Sequence, residues 1–562
     1  MDTSEKRLSH YLVLLGIIAL GVALRFWHLD FKPLWLDEVI TALVTLGHGY
    51  DDVPKSEVFG VDQLQQLFTL KPEVSCAGII QTLINQSTHP PIFFCLLHSW
   101  LSFLQANFNN VIWAMRSLPA LFGVCAIAVV YFLNRIAFSP TAGLIGAAIM
   151  AVSPFGVYLS QEARHYTLAI LLISLALLAL IKIQQNLYQQ LPSRPLIWIV
   201  WGIFNSISCY IHYFCILALV AQIFTLTLLF YLQIHTIALQ RQIKVATLTV
   251  ICICLSYLPW LPILIKHFGQ PETNWLVPPQ NIAPFYQIVI NWLLMVISLP
   301  VEEQPIWIKI PSALLTLLFA IWFGWQVIQG LHQLWKQPAT QPSVITLGSF
   351  IMSVLVEFVV ITYFLRKDIT AVPRYHFVYF PAICALFAAS IAINIKQPNY
   401  LFLSRNHPFL IITLVGCISC ILVGFNLIHQ KPYKPEQVAQ NLNIKQPIPL
   451  MVVAEYSDSQ DLALELSFMF ALSNIRENNF VNNTDISFAF LPKTPVRELF
   501  WQKLSDLPIT TTSNLALWVF SNRIKSLVYP KEILIEGEIS CVIDSNHSYM
   551  NETFYQLYKC QK

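Results

Sequence analysis

"LSHYLVLLGIIALGVALRFWHLDFKPLWLDEVITA", Leu8 to Ala42, opens with an apolar run long enough to cross a hydrocarbon core of about 30 Å and closes on two adjacent carboxylates, Asp37 and Glu38. The charged start MDTSEKR followed by Leu8 to Leu29 has the pattern of a signal sequence. It ends, however, in Arg-Phe-Trp-His with no small-residue cleavage site, which predicts an uncleaved first membrane helix. The composition agrees: 56% of the 562 residues are hydrophobic and 11% are charged, against about 25% charged in soluble domains. A net charge of +3 with no Lys/Arg-rich run argues against a nucleic-acid partner and directs attention to the bilayer and its surface.

Working outward, further apolar runs read as spans near Leu118 to Leu133, Ala142 to Tyr158, Thr167 to Ile183, Leu196 to Ile211, Phe214 to Leu232, Val245 to Leu264, Ser312 to Ile328, Val344 to Leu365, Phe377 to Ile395 and Phe409 to Ile428. With the first, that makes about eleven. Two segments are ambiguous: Pro91 to Leu104, opened by two prolines, and Ile282 to Ile297, interrupted by Asn291. If neither crosses, Lys6, Arg7, Arg135, Arg194, Arg241, Lys244, Lys336, Lys396 and Arg405 share one side, which the positive-inside rule makes the cytosol. Both segments are therefore expected as juxtamembrane helices on the outer face.

The expected architecture is an all-α polytopic membrane bundle over residues 1–428, N-terminus cytoplasmic, with a first outer loop at about 30–90. From His429 the composition changes. Met451 to Glu455, Ile486 to Leu491 and Leu515 to Phe520 read as short buried strands, with helices at Leu462 to Leu472 and Val496 to Leu507. Residues 429–562 are thus expected to form a small α/β domain outside the cytosol. Most of the twelve cysteines sit in apolar runs as small hydrophobes, and the Cys417-x-x-Cys420 pattern lies in a span, which excludes a redox or zinc role. Whether Cys541 and Cys560 pair stays open at this point.

On this topology the unusual polar residues converge on the outer face: Asp37-Glu38, the "STHPP" of Ser87 to Pro91, "SQEARHY" of Ser160 to Tyr166, "YIHYF" of Tyr210 to Phe214 and "VPRYHF" of Val372 to Phe377. Each has a plainer reading alone. The acids suit a helix start, the arginines suit interfacial snorkelling, and prolines suit the first turn of a helix. Together they put arginines on the side where basic residues are otherwise disfavoured. Glu357, in mid-span, is a further candidate because a bilayer-buried charge is costly, although a neutral or paired glutamate inside the bundle is the simpler reading.

The order of N-terminal span, Asp-Glu, His-Pro-Pro, Gln-Glu-Ala-Arg-His-Tyr, His-Tyr and Arg-Tyr resembles the C-type membrane glycosyltransferases (GT-C) of the protein O-mannosyltransferase and aminoarabinose transferase kind. The resemblance runs from about Leu34 to Phe377. It implies the GT-C fold and transfer of a sugar, with inversion, from a polyprenyl-phosphate donor to an acceptor hydroxyl on the outer face.

By that resemblance Asp37 is the general base, with Glu38 as its catalytic neighbour. Arg374 and Arg164 hold the donor phosphate with His89. Gln161, Glu162, Tyr166, His212, Tyr213 and Tyr375 line the substrate. No metal is assigned, and a divalent cation between Asp37 and Glu162 stays open.

The implied partners are the lipid-linked donor, membrane lipids and a glycan, lipid or protein acceptor. The implied location is a bacterial inner membrane, because a small outer domain after the last span matches the aminoarabinose transferase layout. No phosphate-binding G-x-x-x-x-G-K-[ST] loop or dinucleotide fingerprint points to a nucleotide-sugar enzyme. The alternative is a transporter or flippase of a lipid-linked sugar, for which inverted repeats and broken helices are the expected signs, and the sequence shows neither. A wall-binding structural protein leaves the outer-face cluster unexplained.

Overall fold

A computed structural model describes residues 3–192, 194–233, 239–270, 275–395, 407–443, 448–478, 485–494, 496–508, 514–521, 529–536, 539–551 and 553–561. Lys396 and Arg405, two of the expected cytosolic charges, lie outside the described residues. The chain begins α1 (Thr3–Phe26), α2 (Leu36–Thr45), β1 (Val58–Gly60), α3 (Val61–Leu67), α4 (Cys76–Gln86), α5 (Ile92–Phe103), α6 (Val111–Ala137), α7 (Pro140–Ala151), α8 (Pro154–Ser160) and α9 (Tyr166–Tyr188). It continues with α10 (Pro195–Cys209), α11 (Cys215–Leu232), α12 (Leu239–Tyr257), α13 (Leu261–Phe268), α14 (Ala283–Leu294), α15 (Ile306–Lys336), α16 (Gln341–Phe364), α17 (Phe380–Ile395) and α18 (His407–Gly424). The tail holds α19 (Pro435–Leu442), β2 (Leu450–Tyr456), α20 (Ser459–Asn478), β3 (Ile486–Pro492), α21 (Arg497–Ser505), β4 (Leu515–Ser521), β5 (Glu532–Ile535), β6 (Ile539–Asn551) and β7 (Thr553–Gln561).

These elements form two compact units. One takes Met1–Phe31, Thr88–Phe93 and Arg116–His429; the other takes Lys32–Ser87, Phe94–Met115 and Gln430–Lys562. The tail expected as a domain of its own from residue 429 thus shares a unit with most of the first loop.

The first unit is a helical bundle, and every segment expected to span is helical. Among the described residues seven helices are long and apolar enough to cross a membrane, and the bent pair α7 and α8 makes an eighth. The chain is an integral membrane protein. The other three expected spans, α10, α17 and α18, are shorter apolar helices. The two ambiguous segments are α5 and α14, of twelve residues each. At 1.5 Å per residue they rise about 18 Å, short of the hydrocarbon core.

The run expected as one span from Ala142 to Tyr158 is instead broken by 56° between α7 and α8. The cause is local. Pro154 has no N–H to continue the ladder, while the Ser153 hydroxyl accepts from Gly156 N at 3.1 Å and so starts a new helix. Ser153 also donates to the Met295 carbonyl at 2.6 Å.

The second unit is built on a seven-stranded sheet of order β1-β3-β2-β4-β7-β6-β5. Its centre, β3-β2-β4, is parallel, with Val453 beside Ala489 on one side and Val519 on the other. These strands are hydrophobic almost throughout because both faces are covered, as the sequence predicts. The sequence reading misses two parts of the sheet. β1, three residues from the first loop, pairs antiparallel to β3, and β6 and β7 form an antiparallel pair, extended by β5, in the polar C-terminal stretch. Cys541 and Cys560 face each other across that pair and form a disulfide. A second disulfide joins Cys76 at the start of α4 to Cys95 in α5.

Candidate functional site

The bundle unit gathers most of the residues named from sequence around one imidazole. α8 ends at Ser160 and the chain turns tightly, Arg164 N–H donating to the Glu162 carbonyl at 2.7 Å, before α9 starts at Tyr166. The turn delivers Arg164 to His89, whose Nε2 lies 2.8 Å from the guanidinium Nη2, and sets that guanidinium 6.0 Å from the Tyr166 ring centre.

His212 sits in the bend between α10 and α11. Its ring lies 4.6 Å from His165, 5.7 Å from Tyr166, 4.8 Å from Phe377 and 6.5 Å from Tyr375. Its Nδ1 accepts from Phe214 N at 2.9 Å, which leaves the ring little freedom.

Arg374 and Tyr375 arrive on a 3-10 turn, Pro373–Val378, that precedes α17. The Arg374 guanidinium lies 5.5 Å from the Trp275 ring centre and 5.6 Å from that of Tyr375. The turn is pinned from below. His376, fully buried, shares hydrogen bonds with the Tyr379 hydroxyl and, at 2.9 Å, with the Thr370 carbonyl. Thr370 in turn donates its N–H and hydroxyl to Asp368, at 3.1 and 2.6 Å.

The electrostatics show that the two arginines share a neighbourhood. Burial, then Arg164 and Arg374, push the His212 pKa down to about 3. His89 and His165 are held well below the ordinary histidine range, first by burial; Arg164 and His212 act on both. These histidines are therefore neutral at physiological pH, and the positive charge of the cluster belongs to the arginines. Burial raises the Tyr213 phenol to about 12. Tyr213 shares a 2.7 Å hydrogen bond with His267 Nδ1 and accepts from the Trp260 indole at 3.2 Å.

Two expected substrate residues have other surroundings. Gln161 is buried, and its amide nitrogen donates to the carbonyls of Leu24, Arg25 and Trp27, at 3.3, 3.5 and 3.0 Å. It caps the end of α1, where the carbonyls lack helical donors. Glu162 is fully buried at the turn. Glu357 accepts from Ser353 at 3.3 Å within α16.

Asp37 and Glu38 belong to the other unit, in the first turn of α2, where carboxylates complement the helix N-terminus. They differ sharply. Asp37 is half-buried, with its backbone carbonyl taking the Thr41 hydroxyl at 3.0 Å. Glu38 is fully buried and paired with Lys431 at 3.6 Å, and the Lys431 ammonium lies 5.6 Å from the Trp35 ring centre. The ion pair gives Glu38 a structural task beside the catalytic one expected from the sequence.

Sequence reasoning missed His165, Phe377, His267, Trp260 and Trp275 as members of the cluster. Two of them carried a signal, His165 standing inside "QEARHY" and Phe377 closing "VPRYHF". Among the described residues no group of three or more His, Cys, Asp or Glu side chains is placed to hold a metal ion.

Residues 88–260 match the family model described as dolichyl-phosphate-mannose-protein mannosyltransferase. No curated protein matches the chain. Among solved structures, ArnT from Cupriavidus metallidurans bound to undecaprenyl phosphate aligns with a TM-score of 0.53 and 10% identity, over 99% of this chain and 98% of that one. The apo state of ArnT aligns with a TM-score of 0.53 and 11% identity over the same shares. An oligosaccharyltransferase from Archaeoglobus fulgidus, in complex with Zn and sulfate, aligns with a TM-score of 0.45 and 15% identity, over 81% of this chain and 61% of that one. The matched stretch holds His89, the Gln161 to Tyr166 motif, His212 and Tyr213. The chain thus has the GT-C fold of ArnT and carries, over residues 88–260, a mannosyltransferase sequence signature, which meets the resemblance to the C-type membrane glycosyltransferases.

Proposed function

We propose that this protein is an inverting glycosyltransferase that moves a sugar from a polyprenyl-phosphate donor to an acceptor hydroxyl on the non-cytoplasmic face of the membrane. One observation carries the reading: Arg164 and Arg374, from distant parts of the chain, lie by the rings of Tyr166 and Tyr375, and both of those rings flank the single imidazole of His212. Two planar forks in a ring-lined, poorly hydrated cluster suit the negative charge that develops on a departing lipid phosphate. His89, next to Arg164, is a further donor. Tyr166, Tyr213 and Tyr375 shape the sugar subsite. Asp37 takes the proton of the attacking hydroxyl, which reaches the anomeric carbon opposite the phosphate and inverts it.

The polyprenyl carrier is supported by the undecaprenyl phosphate bound to ArnT, a protein of the same fold. The outer-face assignment is supported by the two disulfides of the second unit, since such bonds persist in oxidising compartments. The acceptor class is an envelope lipid, a polysaccharide or a protein, and the membrane is a bacterial inner membrane. The test is transfer from a purified polyprenyl-phosphate sugar by wild type and Asp37→Asn. Loss of a general base lowers the rate by about 10²–10⁴-fold. Undiminished transfer by Asp37→Asn removes the base, and lipid movement between leaflets without transfer replaces the enzyme by the flippase.

A further inference from the structure

A fully buried arginine that takes no part in the cluster, Arg25 near the end of α1, answers the break between α7 and α8. With Pro154 lacking an N–H, the Met150 carbonyl loses its helical donor, and the last turn of α7 is left with open acceptors. Arg25 Nη2 donates to Met150 O at 2.8 Å and Nη1 to Ala151 O at 2.9 Å. The Cys420 thiol takes the next carbonyl, Val152 O, at 3.1 Å.

The cap is returned from the other direction. α1 stops at Phe26, and Gln161, the first residue past α8, donates to the carbonyls of Leu24, Arg25 and Trp27. The end of α7 is thus capped by a side chain of α1, and the end of α1 by the residue that follows α8. Small residues make the room. At Gly123 a Cβ would stand 2.3 Å from Ser160 Oγ and 2.9 Å from Arg25 Nε.

A guanidinium inside an apolar span is costly, and an unbroken helix with an apolar residue at position 25 avoids that cost. What the break and its two caps accomplish is to end α8 at Ser160, so that the turn through Glu162 brings Arg164 against His89.

We propose that Arg25 and Gln161 are positioning residues for Arg164, fixing the loop that carries its guanidinium to the end of α1. This rests on the reading of Arg164 as a donor-phosphate residue. The probe is sugar-free undecaprenyl phosphate, titrated into the full chain in detergent. Arg164→Ala and Gln161→Met each weaken binding about tenfold, the loss of one well-aimed charge-assisted hydrogen bond. Adding Gln161→Met to Arg164→Ala costs nothing more, because Gln161 acts through Arg164. Arg25→Lys keeps the charge without the fork and loses less than Arg25→Gln.

Wild-type binding by Gln161→Met, or a loss that adds in full to that of Arg164→Ala as general loosening produces, overturns the proposal while the donor reading stands. Failure of wild type to bind the lipid phosphate removes the donor reading, and this inference with it.

Discussion

At Glu38 a buried carboxylate meets a buried ammonium, Lys431, 3.6 Å away; Arg164 and Arg374 are instead set among rings, with His89 against one guanidinium and Trp275 and Tyr375 near the other. The first arrangement is closed, and its product is a fixed first turn of α2. The second sets two cations beside neutral imidazoles and aromatic faces. Buried charge alone therefore does not mark a site, and the partner chemistry does. Asp37 and Glu38, adjacent in sequence, also differ, the first half-buried and the second fully buried.

The comparison breaks most directly at the arginines. Arg374→Ala or Arg164→Ala should lower kcat/KM for transfer by about 10²–10³-fold. The corresponding lysine variants should not restore it, since a point charge does not reproduce a bidentate fork. Full transfer by either lysine variant would show that only the charge matters.

A smaller effect, on stability and not on a fork, is expected at the closed pair. Lys431→Met leaves Glu38 buried without its counter-charge and should cost about 3 kcal/mol, read from unfolding in detergent. Adding Glu38→Gln should regain most of it, and a double variant no better than the single one would dissolve the pair as a unit.

A further effect concerns the imidazoles. His89, His165, His212 and His376 all have folded pKa values below the ordinary 6.5, His212 at about 3 and His376 at about 4. The unfolded chain therefore takes up protons first as the pH falls. Stability is full above about pH 6.5 and is lost progressively toward the folded values. The melting temperature should drop between about pH 7 and 5, and His212→Phe should flatten that slope. A midpoint indifferent to pH would mean that the cluster takes up protons in the folded state.

The bundle was legible because apolar run length is a one-dimensional signal, and the parallel strands β2, β3 and β4 were legible because both their faces are buried. The break at Pro154 was not, since apolarity continues through it and only the Ser153 cap marks the new start. Cys95 looked like one more hydrophobe in "IFFCLLHSW", and its bond to Cys76 depends on how α4 meets α5. Within the motifs, Arg164, Tyr166, His212, Arg374 and Tyr375 were named as candidates while His165 and Phe377 were passed over. His267, Trp260 and Trp275 were not legible, because only tertiary packing brings them near Tyr213 or Arg374. The capping task of Gln161 was not legible, since a helix cap and a ligand contact use the same amide.

Strand β1 has a consequence for how the protein is made. Val58 to Gly60 leave the ribosome early, yet they pair with Ala489 to Ser487, which cannot emerge until the last membrane helix has been synthesised. Until then this sheet edge waits unpaired, a contact of the longest kind and among the slowest to close. Lys431 is also late, so the helix that carries Asp37 waits for its ion pair as well. Truncation within the tail should therefore be felt at α2, and a biogenesis defect there would mimic a catalytic one.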